Sequence, residues 1–279
     1  MQLNRLSRAL GAAQIVGGED EEADRVVKSA GRVLKILELF DILKREALVS
    51  EVSGLLGLPQ SSTSVLLRSM VVLGYLYFNP ETRAFGPTTR VALLGSWING
   101  PLLSDGPLMR LMEGVNQRTG QAVVLAVRNR IWAQYIHVVQ ATDPLRMFVV
   151  KGARRPLVRS GTGLALLADL PDSDIKRIAL RCNAEAQDNE PQVCIAELMK
   201  QIEEIRECGW AATFDTITRG GGMLATRLPQ LENEERIVIG VCGASPVLRE
   251  NLDTFILALH EETAKHITGR EPVELQTAA

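Results

Sequence analysis

Residues 57–75 have the sequence GLPQSSTSVLLRSMVVLGY, which contains the clearest turn and helix signals in the N-terminal part of the chain. Gly57 predicts the end of one helix, because glycine adopts the left-handed conformation at low steric cost, and Leu58-Pro59 predicts a turn. Apolar residues then recur at helical spacing from Gln60 to Leu73. The stretch therefore predicts a tight turn followed by a helix that buries Leu66, Leu67, Met70 and Leu73.

Helical and strand patterns on either side complete a small unit. A first helix is predicted from Ser29 to about Arg45 and a second after Ser50, with each serine capping the first amides of its helix. Residues 75–78 and 83–85 predict two strands around the turn NPET. Three short helices followed by a hairpin are the outline of a winged helix-turn-helix.

The third helix begins with the polar run QSSTS at residues 60–64, which has two explanations. Small hydroxyl side chains at a helix start commonly cap backbone amides. They also allow the backbone to approach DNA closely and to bind its phosphates. The pattern alone therefore leaves both a DNA-binding domain and a helical protein-interaction module open.

Composition and charge limit the class of protein. The chain has 279 residues, 46% hydrophobic and 23% charged, which is enough for about two globular domains. The formal net charge of −2 excludes a uniformly basic nucleic-acid coat protein, although residues 29–98 carry seven basic and five acidic side chains. No apolar run reaches about 18 residues and no signal peptide is recognisable, which predicts a cytoplasmic protein. Four separated cysteines predict reduced thiols rather than disulfides or a zinc site.

The C-terminal half predicts an α+β sheet covered by helices. Strand-like runs occur at residues 122–127, 131–139, 147–150, 211–214, 223–228 and 236–242, and helical ones at 163–168, 173–181 and 195–207. Ser245-Pro246 predicts the cap and the first residue of one long final helix.

Residues 57–75 resemble, without a gap, the recognition-helix signature of the IclR family of bacterial transcriptional regulators. Phe85-Gly86-Pro87 is similar to the family's link from the wing to a connecting helix, which is expected here at Thr88–Ile98. The C-terminal half also resembles the family, at TGQAVVL (119–125), RPLVRSGTGLALLA (155–168), ECGW (207–210) and IGVCG (239–243). The resemblance covers about residues 29–268.

The resemblance implies an α+β protein of two domains, an N-terminal winged helix-turn-helix and a C-terminal GAF-like effector-binding domain. On this basis residues 1–28 are expected to form a flexible tail, 29–86 the DNA-binding domain, 87–103 the connecting helix and linker, and 104–279 the effector-binding domain. The resemblance also implies a homodimer that assembles into a dimer of dimers on double-stranded operator DNA.

The residues that the resemblance assigns to DNA binding lie on the third helix and the wing. They are Gln60, Ser61, Ser62, Ser64, Val65, Arg68 and Arg83. Relatives often have His and Arg where this chain has Ser64 and Val65, which favours apolar contact with a thymine methyl over a long hydrogen-bond donor. Arg68 and Arg83 are expected to contact phosphates, with a solvated helix face as the alternative for Arg68.

The resemblance also implies an effector pocket around the turn before the helix at 163. Its residues are Arg159, Ser160, Gly161, Thr162, Thr213, Asp215, Met223 and Cys242. Backbone amides of the turn would favour a carboxylate, hydroxyls would orient it, and Met223 and Cys242 would form an apolar wall. Arg159 would either clamp an anionic effector or face outward, towards a surface acid or another subunit.

No pattern in the sequence assembles a nucleophile with a base, so an enzyme is not expected. Gly161-Thr162-Gly163 starts like a dinucleotide fingerprint, but Leu166 stands where the third glycine is needed. Gly220–Gly222 lacks the Lys-Ser/Thr of a phosphate loop. The three histidines, His137, His260 and His266, lack metal-ligand spacing, and neither a cofactor nor a metal is predicted.

The sequence therefore predicts a ligand-responsive, DNA-binding transcriptional regulator. The resemblance favours a repressor of a catabolic operon that releases its operator when a short carboxylic acid or aldehyde binds. Two alternatives stay open. One is a sensor module that acts through a protein partner and has a degenerate helix-turn-helix, and the other is an enzyme that acts on the small acid.

Overall fold

A computed structural model of the chain describes residues 27–94, 106–142, 148–186, 192–229 and 236–268. The chain divides into two compact units, one up to Asn99 and one from Gly100. The tail expected at 1–28 lies almost wholly outside the described residues, as do residues 95–103 of the connecting helix and linker expected at 87–103.

The N-terminal unit has the predicted winged helix-turn-helix outline. Its helices are α1 (Lys28–Leu43), α2 (Val49–Leu56) and α3 (Gln60–Val72), followed by strands β1 (Leu76–Asn79) and β2 (Ala84–Pro87) and the short helix α4 (Thr89–Leu93). The two strands pair antiparallel, and the helices pack on a core that includes Ile36, Leu39, Phe40, Leu67 and Met70. Helix α4 begins where the connecting helix was expected, and Leu94 is the last described residue there.

Turn predictions hold in this unit, whereas the two serine caps are wrong. Gly57 has a φ of 63°, as the predicted left-handed helix end requires. Ser29 and Ser50 are not caps, because each helix begins one residue earlier, after Val27 and Leu48 respectively, with no side-chain cap. For α2 the reason is an isolated bridge between Ala47 and Phe85, which keeps the chain extended up to Leu48. Leu73, expected inside, is 59% exposed because α3 ends at Val72.

The C-terminal unit is an α+β domain built on one antiparallel sheet of six strands, in the order β5-β4-β3-β8-β7-β6. The strands are β3 (Ala122–Asn129), β4 (Trp132–Val139), β5 (Arg154–Pro156), β6 (Trp210–Phe214), β7 (Gly221–Arg227) and β8 (Ile237–Ala244). The helices are α5 (Pro107–Thr119), α6 (Gly161–Leu167), α7 (Asp172–Ala184), α8 (Ile195–Cys208), α9 (Ser245–Glu250) and α10 (Leu252–Thr263), and a π-helical turn, Ala264–Thr268, follows.

Both faces of this sheet are covered, which explains the continuous apolar run of β3. Val124 belongs to the core shared with α6, α7 and α8. Its neighbours Val123 and Leu125 belong to the core shared with α5, α9 and α10. Because side chains alternate along a strand, each face of a central strand needs its own apolar set.

Two predictions fail in the C-terminal unit. The strand expected at 147–150 is not present at 148–150; there the side-chain amide of Gln140 bonds both the backbone N–H and the carbonyl of Val149, at 3.2 and 2.6 Å, in place of a strand partner. The long final helix is divided at Asn251 into α9 and α10. Ser245 is the first residue of α9 rather than its cap, because β8 continues to Ala244.

Candidate functional sites

Helix α3 has one buried and one exposed face. Thr63, Leu67 and Met70 are buried at helical spacing, which fixes the helix on its unit. Ser61, Val65 and Arg68 lie on the opposite, exposed side, and Val65 is 64% exposed. The exposed face therefore combines small polar groups, one apolar side chain and one arginine.

The hydroxyl groups at the start of α3 do not cap it. The residue before the helix is Pro59, which offers no capping side chain. The hydroxyls of Ser62 and Thr63 instead each donate to the carbonyl of Pro59, at 3.0 Å. The capping interpretation of the polar run is therefore wrong, and these two hydroxyls secure the turn.

A carboxylate that the sequence analysis missed, Glu46, holds the wing. It accepts hydrogen bonds from the Tyr77 hydroxyl at 2.9 Å, the Thr82 hydroxyl at 3.0 Å and the Asn79 side-chain amide at 3.3 Å. These bonds, that from Tyr77 first, lower the pKa of Glu46 below its usual value. Arg83 follows in the wing turn, exposed and with a φ of 58°. The position of Arg83 thus depends on a residue more than thirty positions earlier in the chain.

The C-terminal unit contains a cavity that is partly open to solvent; its empty space, with the open part included, is about 590 Å³. It lies between the turn that precedes α6 and the adjoining parts of β4–β8. Five predicted effector residues meet there: Ser160, Gly161, Thr213, Met223 and Cys242. The other lining residues are Tyr135, Phe148, Val149, Arg155, Thr216, Ile217, Thr218, Gly221, Gly222 and Gly243.

The remaining three predicted effector residues do not line this cavity. Thr162 is fully buried and is not among the lining residues. Asp215 closes a loop instead, because its carboxylate accepts from the Gly220 amide at 2.7 Å. Arg159 lines a separate cavity, on the side of Cys182 and Asn183. The chain is extended at Ser160, with φ −91° and ψ 144°, so side chains 159 and 160 point to opposite sides.

Two amides at the start of α6, those of Gly161 and Gly163, are already bonded within the protein, so they are not free to hold a carboxylate as expected. The Gly161 N–H donates to the Thr213 hydroxyl at 3.1 Å. The Gly163 N–H donates to the Ser160 hydroxyl, also at 3.1 Å, and that hydroxyl donates to the Pro156 carbonyl at 2.8 Å. Ser160 and Thr213 therefore stabilise the wall of the cavity with the groups that were expected to hold the ligand.

Arg155 takes the place expected for Arg159. It is half-buried on β5, lines the cavity, and its guanidinium carbon lies 5.6 Å from the centroid of the Tyr135 ring. Its Nη1 donates to the Arg154 carbonyl at 3.2 Å. No carboxylate in the described part of the chain forms a salt bridge with it. Recognising residues 154–156 as a strand would have pointed to one inward arginine, because consecutive strand residues face opposite sides.

Arg155 is the one ionised group among the described residues that line the cavity. Burial raises the pKa of Tyr135 to about 12 and that of Cys242 also to about 12, so both are neutral near pH 7. No group of three His, Cys, Asp or Glu side chains suited to a metal ion is found in the described ranges. Within the same ranges, no helix is long and apolar enough to cross a membrane.

Two domain models of one protein family match successive parts of the chain. Residues 29–80 match the IclR helix-turn-helix domain, and residues 108–268 match the "Bacterial transcriptional regulator IclR C-terminal" domain. Among curated relatives, the transcriptional repressor AllR of Salmonella typhimurium is 27% identical over 258 residues, which are 90% of this chain and 93% of AllR. The transcriptional regulator KdgR of Escherichia coli is 23% identical over 88% of this chain and 94% of KdgR.

Solved structures agree with this assignment. The IclR effector domain from Acinetobacter has a TM-score of 0.56 and 26% identity over 60% of this chain and 97% of its own. A full IclR regulator from Alicyclobacillus acidocaldarius has a TM-score of 0.60 and 23% identity over 87% and 98%. An IclR homologue from Microbacterium hydrocarbonoxydans, complexed with 4-hydroxybenzoate, has a TM-score of 0.58 and 17% identity over 85% and 99%. The chain belongs to the IclR family of bacterial transcriptional regulators.

Proposed function

We propose that this regulator is a repressor of a catabolic operon and that it releases its operator when a small organic acid or aldehyde enters the cavity of the C-terminal unit. The observation that carries the proposal is the presence, on one chain, of an exposed helix-turn-helix face and a separate, partly enclosed cavity. AllR, a repressor by name, is similar over nine-tenths of this chain, which favours repression over activation.

The exposed face of α3 supplies most of the proposed DNA contacts. Short side chains at its start, those of Ser61, Ser62 and Ser64, allow close approach to the phosphate backbone, and Gln60 would contact that backbone through its side-chain amide. Val65 would meet a base edge in the major groove, and Arg68, with Arg83 on the wing, would contact phosphates. The exposure of Val65, Arg68 and Arg83 supports these roles.

The proposed effector site is the cavity, with Ser160, Gly161, Thr213, Met223 and Cys242 in its wall. Thr162 and Asp215 would act from behind that wall, by packing and by closing the adjacent loop. The relative from Microbacterium was crystallised with 4-hydroxybenzoate, which supports a ligand of this size and class here. Catalysis is not part of the proposal, because the buried Cys242 thiol, with a pKa of about 12, is protonated near pH 7 and the thiolate is the nucleophilic form.

Release of the operator requires differential affinity. An effector shifts the equilibrium only if it binds the DNA-incompetent arrangement more tightly than the competent one. Operator DNA must then weaken effector binding by the same factor. We propose that the regulator is a cytoplasmic homodimer or a dimer of dimers. Its proposed parts are the DNA-binding domain at 29–86, the connecting helix and linker at 87–103, and the effector-binding domain at 104–279. These assignments stay predictions.

Fluorescence anisotropy with the DNA upstream of its own gene tests the proposal. At two salt concentrations we expect sequence-dependent binding with a steep salt dependence, since phosphate contacts release counterions. Adding short carboxylic acids and aldehydes should release the DNA. A sensor that acts only through a protein partner would show neither sequence preference nor a steep salt slope.

A further inference from the structure

We infer that the cavity selects a monocarboxylate through Arg155 and rejects the aldehyde and the amide of the same carbon skeleton. The inference rests on the proposed effector role of the cavity, and it decides between the two ligand classes left open there. It also assigns the charge-reading residue to β5 rather than to the turn at 159.

The charge of the cavity wall favours an anionic ligand. Arg155 carries the one formal charge among the described lining residues, and no described carboxylate is paired with it. A half-buried guanidinium favours a ligand that supplies the missing negative charge. One carboxylate completes the balance, whereas a dicarboxylate would leave its second charge among neutral groups.

Two contacts hold the Arg155 guanidinium in a fixed orientation. The guanidinium lies 5.6 Å from the centroid of the Tyr135 ring and is tied by Nη1 to the Arg154 carbonyl at 3.2 Å. These two contacts orient the planar group before a ligand arrives. A guanidinium has five N–H donors, so donors are left to bind both oxygens of a carboxylate.

At the alternative anion site, the turn before α6, two of the amides are already bonded to the protein itself. The amides of Gly161 and Gly163 donate to the hydroxyls of Thr213 and Ser160. A carboxylate at this turn would have to displace these bonds. Arg155 therefore offers the better place for the charge.

An aldehyde has no covalent partner among the described lining residues, and it lacks the negative charge that would balance Arg155. Capture of an aldehyde as an adduct needs an amine or a thiolate, and the described lining residues contain no lysine. The Cys242 thiol is protonated, because burial raises its pKa to about 12. A neutral carbonyl would accept a hydrogen bond from Arg155 but would leave its charge unbalanced.

The rest of the wall defines the body of the ligand. Phe148, Val149, Ile217 and Met223 are apolar, the Thr213 hydroxyl already accepts from the Gly161 amide, and Thr216 and Thr218 add hydroxyls from the loop between β6 and β7. A compact, mainly apolar skeleton therefore suits the space beside Arg155.

Isothermal titration calorimetry on the full chain tests the inference. The panel contains aliphatic and aromatic monocarboxylates, including butyrate, hexanoate, benzoate and 4-hydroxybenzoate, each beside its aldehyde and its primary amide. At least one carboxylate should bind with a Kd below about 1 mM. Its neutral counterparts should bind at least about tenfold more weakly, as expected for a lost charged hydrogen bond.

Variants then assign the preference to Arg155. Arg155→Gln should lower the affinity for the carboxylate at least about tenfold and bring acid and aldehyde within about threefold of each other. Arg155→Lys keeps the charge but not the planar fork, so it should retain part of the preference and also checks folding. Arg159→Gln is the matched control, because it removes an arginine from the separate cavity, and it should bind like the parent.

Three results would overturn the inference: no monocarboxylate of the panel binds, a neutral counterpart binds equally well, or Arg155→Gln keeps the preference. The proposed function fails separately. A carboxylate that binds through Arg155 without releasing the operator would leave the inference standing and contradict the regulatory role. A neutral ligand that releases the operator without any need for Arg155 would contradict the inference and leave the regulatory role standing.

Discussion

Helix α3 in the N-terminal unit and the cavity in the C-terminal unit each present one arginine, in opposite surroundings. Arg68 is exposed on a helix beside small polar groups, whereas Arg155 is half-buried over an aromatic ring. In water a single charge contributes little selectivity and is screened by salt. In a partly enclosed site the same charge distinguishes an anion from a neutral molecule. The surroundings of an arginine, more than its presence, therefore determine what it can recognise.

The largest expected difference between the two units is in how their stability responds to one added methyl group. A Cβ at position 163 would lie 2.3 Å from the Leu157 carbonyl oxygen and 2.5 Å from its Cα, so backbone must move. Gly163→Ala should therefore destabilise the C-terminal unit by about 1–3 kcal/mol or more. Hydrogen exchange resolved by unit measures the loss.

Gly54→Ala is the matched control for that substitution. Its Cβ would meet no atom within 4 Å, and the position lies in α2. The alanine should stabilise the N-terminal unit by about 0.5–1 kcal/mol through helix propensity. If Gly163→Ala leaves the hydrogen exchange of its unit as slow as Gly54→Ala does, the packing around Gly163 is not tight.

Removing the exposed arginine should have the next largest effect. Arg68→Ala should weaken operator binding by about 1 kcal/mol per half-site. The loss should be similar across sequences, and the salt slope should fall by about 1 per half-site, because a phosphate contact is lost. Anisotropy at several salt concentrations measures both. Arg177→Ala, an exposed arginine on α7 in the other unit, should change neither; an unchanged slope in the Arg68 variant would remove that residue from the DNA contacts.

The apolar side chain on α3 should give a smaller, sequence-specific effect. If Val65 contacts a thymine methyl, replacing that thymine by deoxyuridine should weaken binding about fourfold, the value of one buried methyl group. In Val65→Ala the same replacement should have almost no effect. Val72→Ala, also exposed on α3, serves as the control and should respond to deoxyuridine like the parent. Equal responses of all three proteins would contradict the contact.

The smallest effect expected near neutral pH is that of Glu46→Gln. The hydrogen bonds to Glu46 lower its pKa, so its stabilisation of the wing is present at neutral pH and is lost as the pH falls through that lowered pKa. Urea unfolding between pH 7 and 3, followed by the amide NMR signals of the N-terminal unit, should show this loss in the parent and a flatter profile in the variant. Glu38→Gln, on an exposed part of α1, should keep the parent profile. A parent profile in Glu46→Gln would show that the wing does not depend on this carboxylate.

Local signals were sufficient for the helix that carries Arg68. Glycines at 57 and 74 delimit α3, and its apolar spacing predicts the buried Leu67 and Met70 correctly; Leu66 is partly buried and Leu73 is exposed. The resemblance to the family located five of the cavity residues, although they come from separate segments. Fold class and membership of the family were thus available from the sequence.

The missed residues depend on contacts between distant segments. Arg155 lies on a strand of three residues, too short to show alternation. Glu46 has its partners 31 to 36 positions later in the chain. The cap at Ser50 failed because a bridge from Ala47 to Phe85 controls where α2 begins. Pairing of this kind leaves no periodic trace in one sequence.

The loop between β6 and β7 has a consequence for how relatives of this protein could diverge. Thr216, Ile217 and Thr218 all line the cavity, and the Asp215 carboxylate joins the ends of the loop through the Gly220 amide. Thr216 and Thr218 are exposed on their outer sides, so neither belongs to the folded core. A duplicated gene could therefore acquire a new inducer spectrum by changing three adjacent codons, without rebuilding the sheet beneath them.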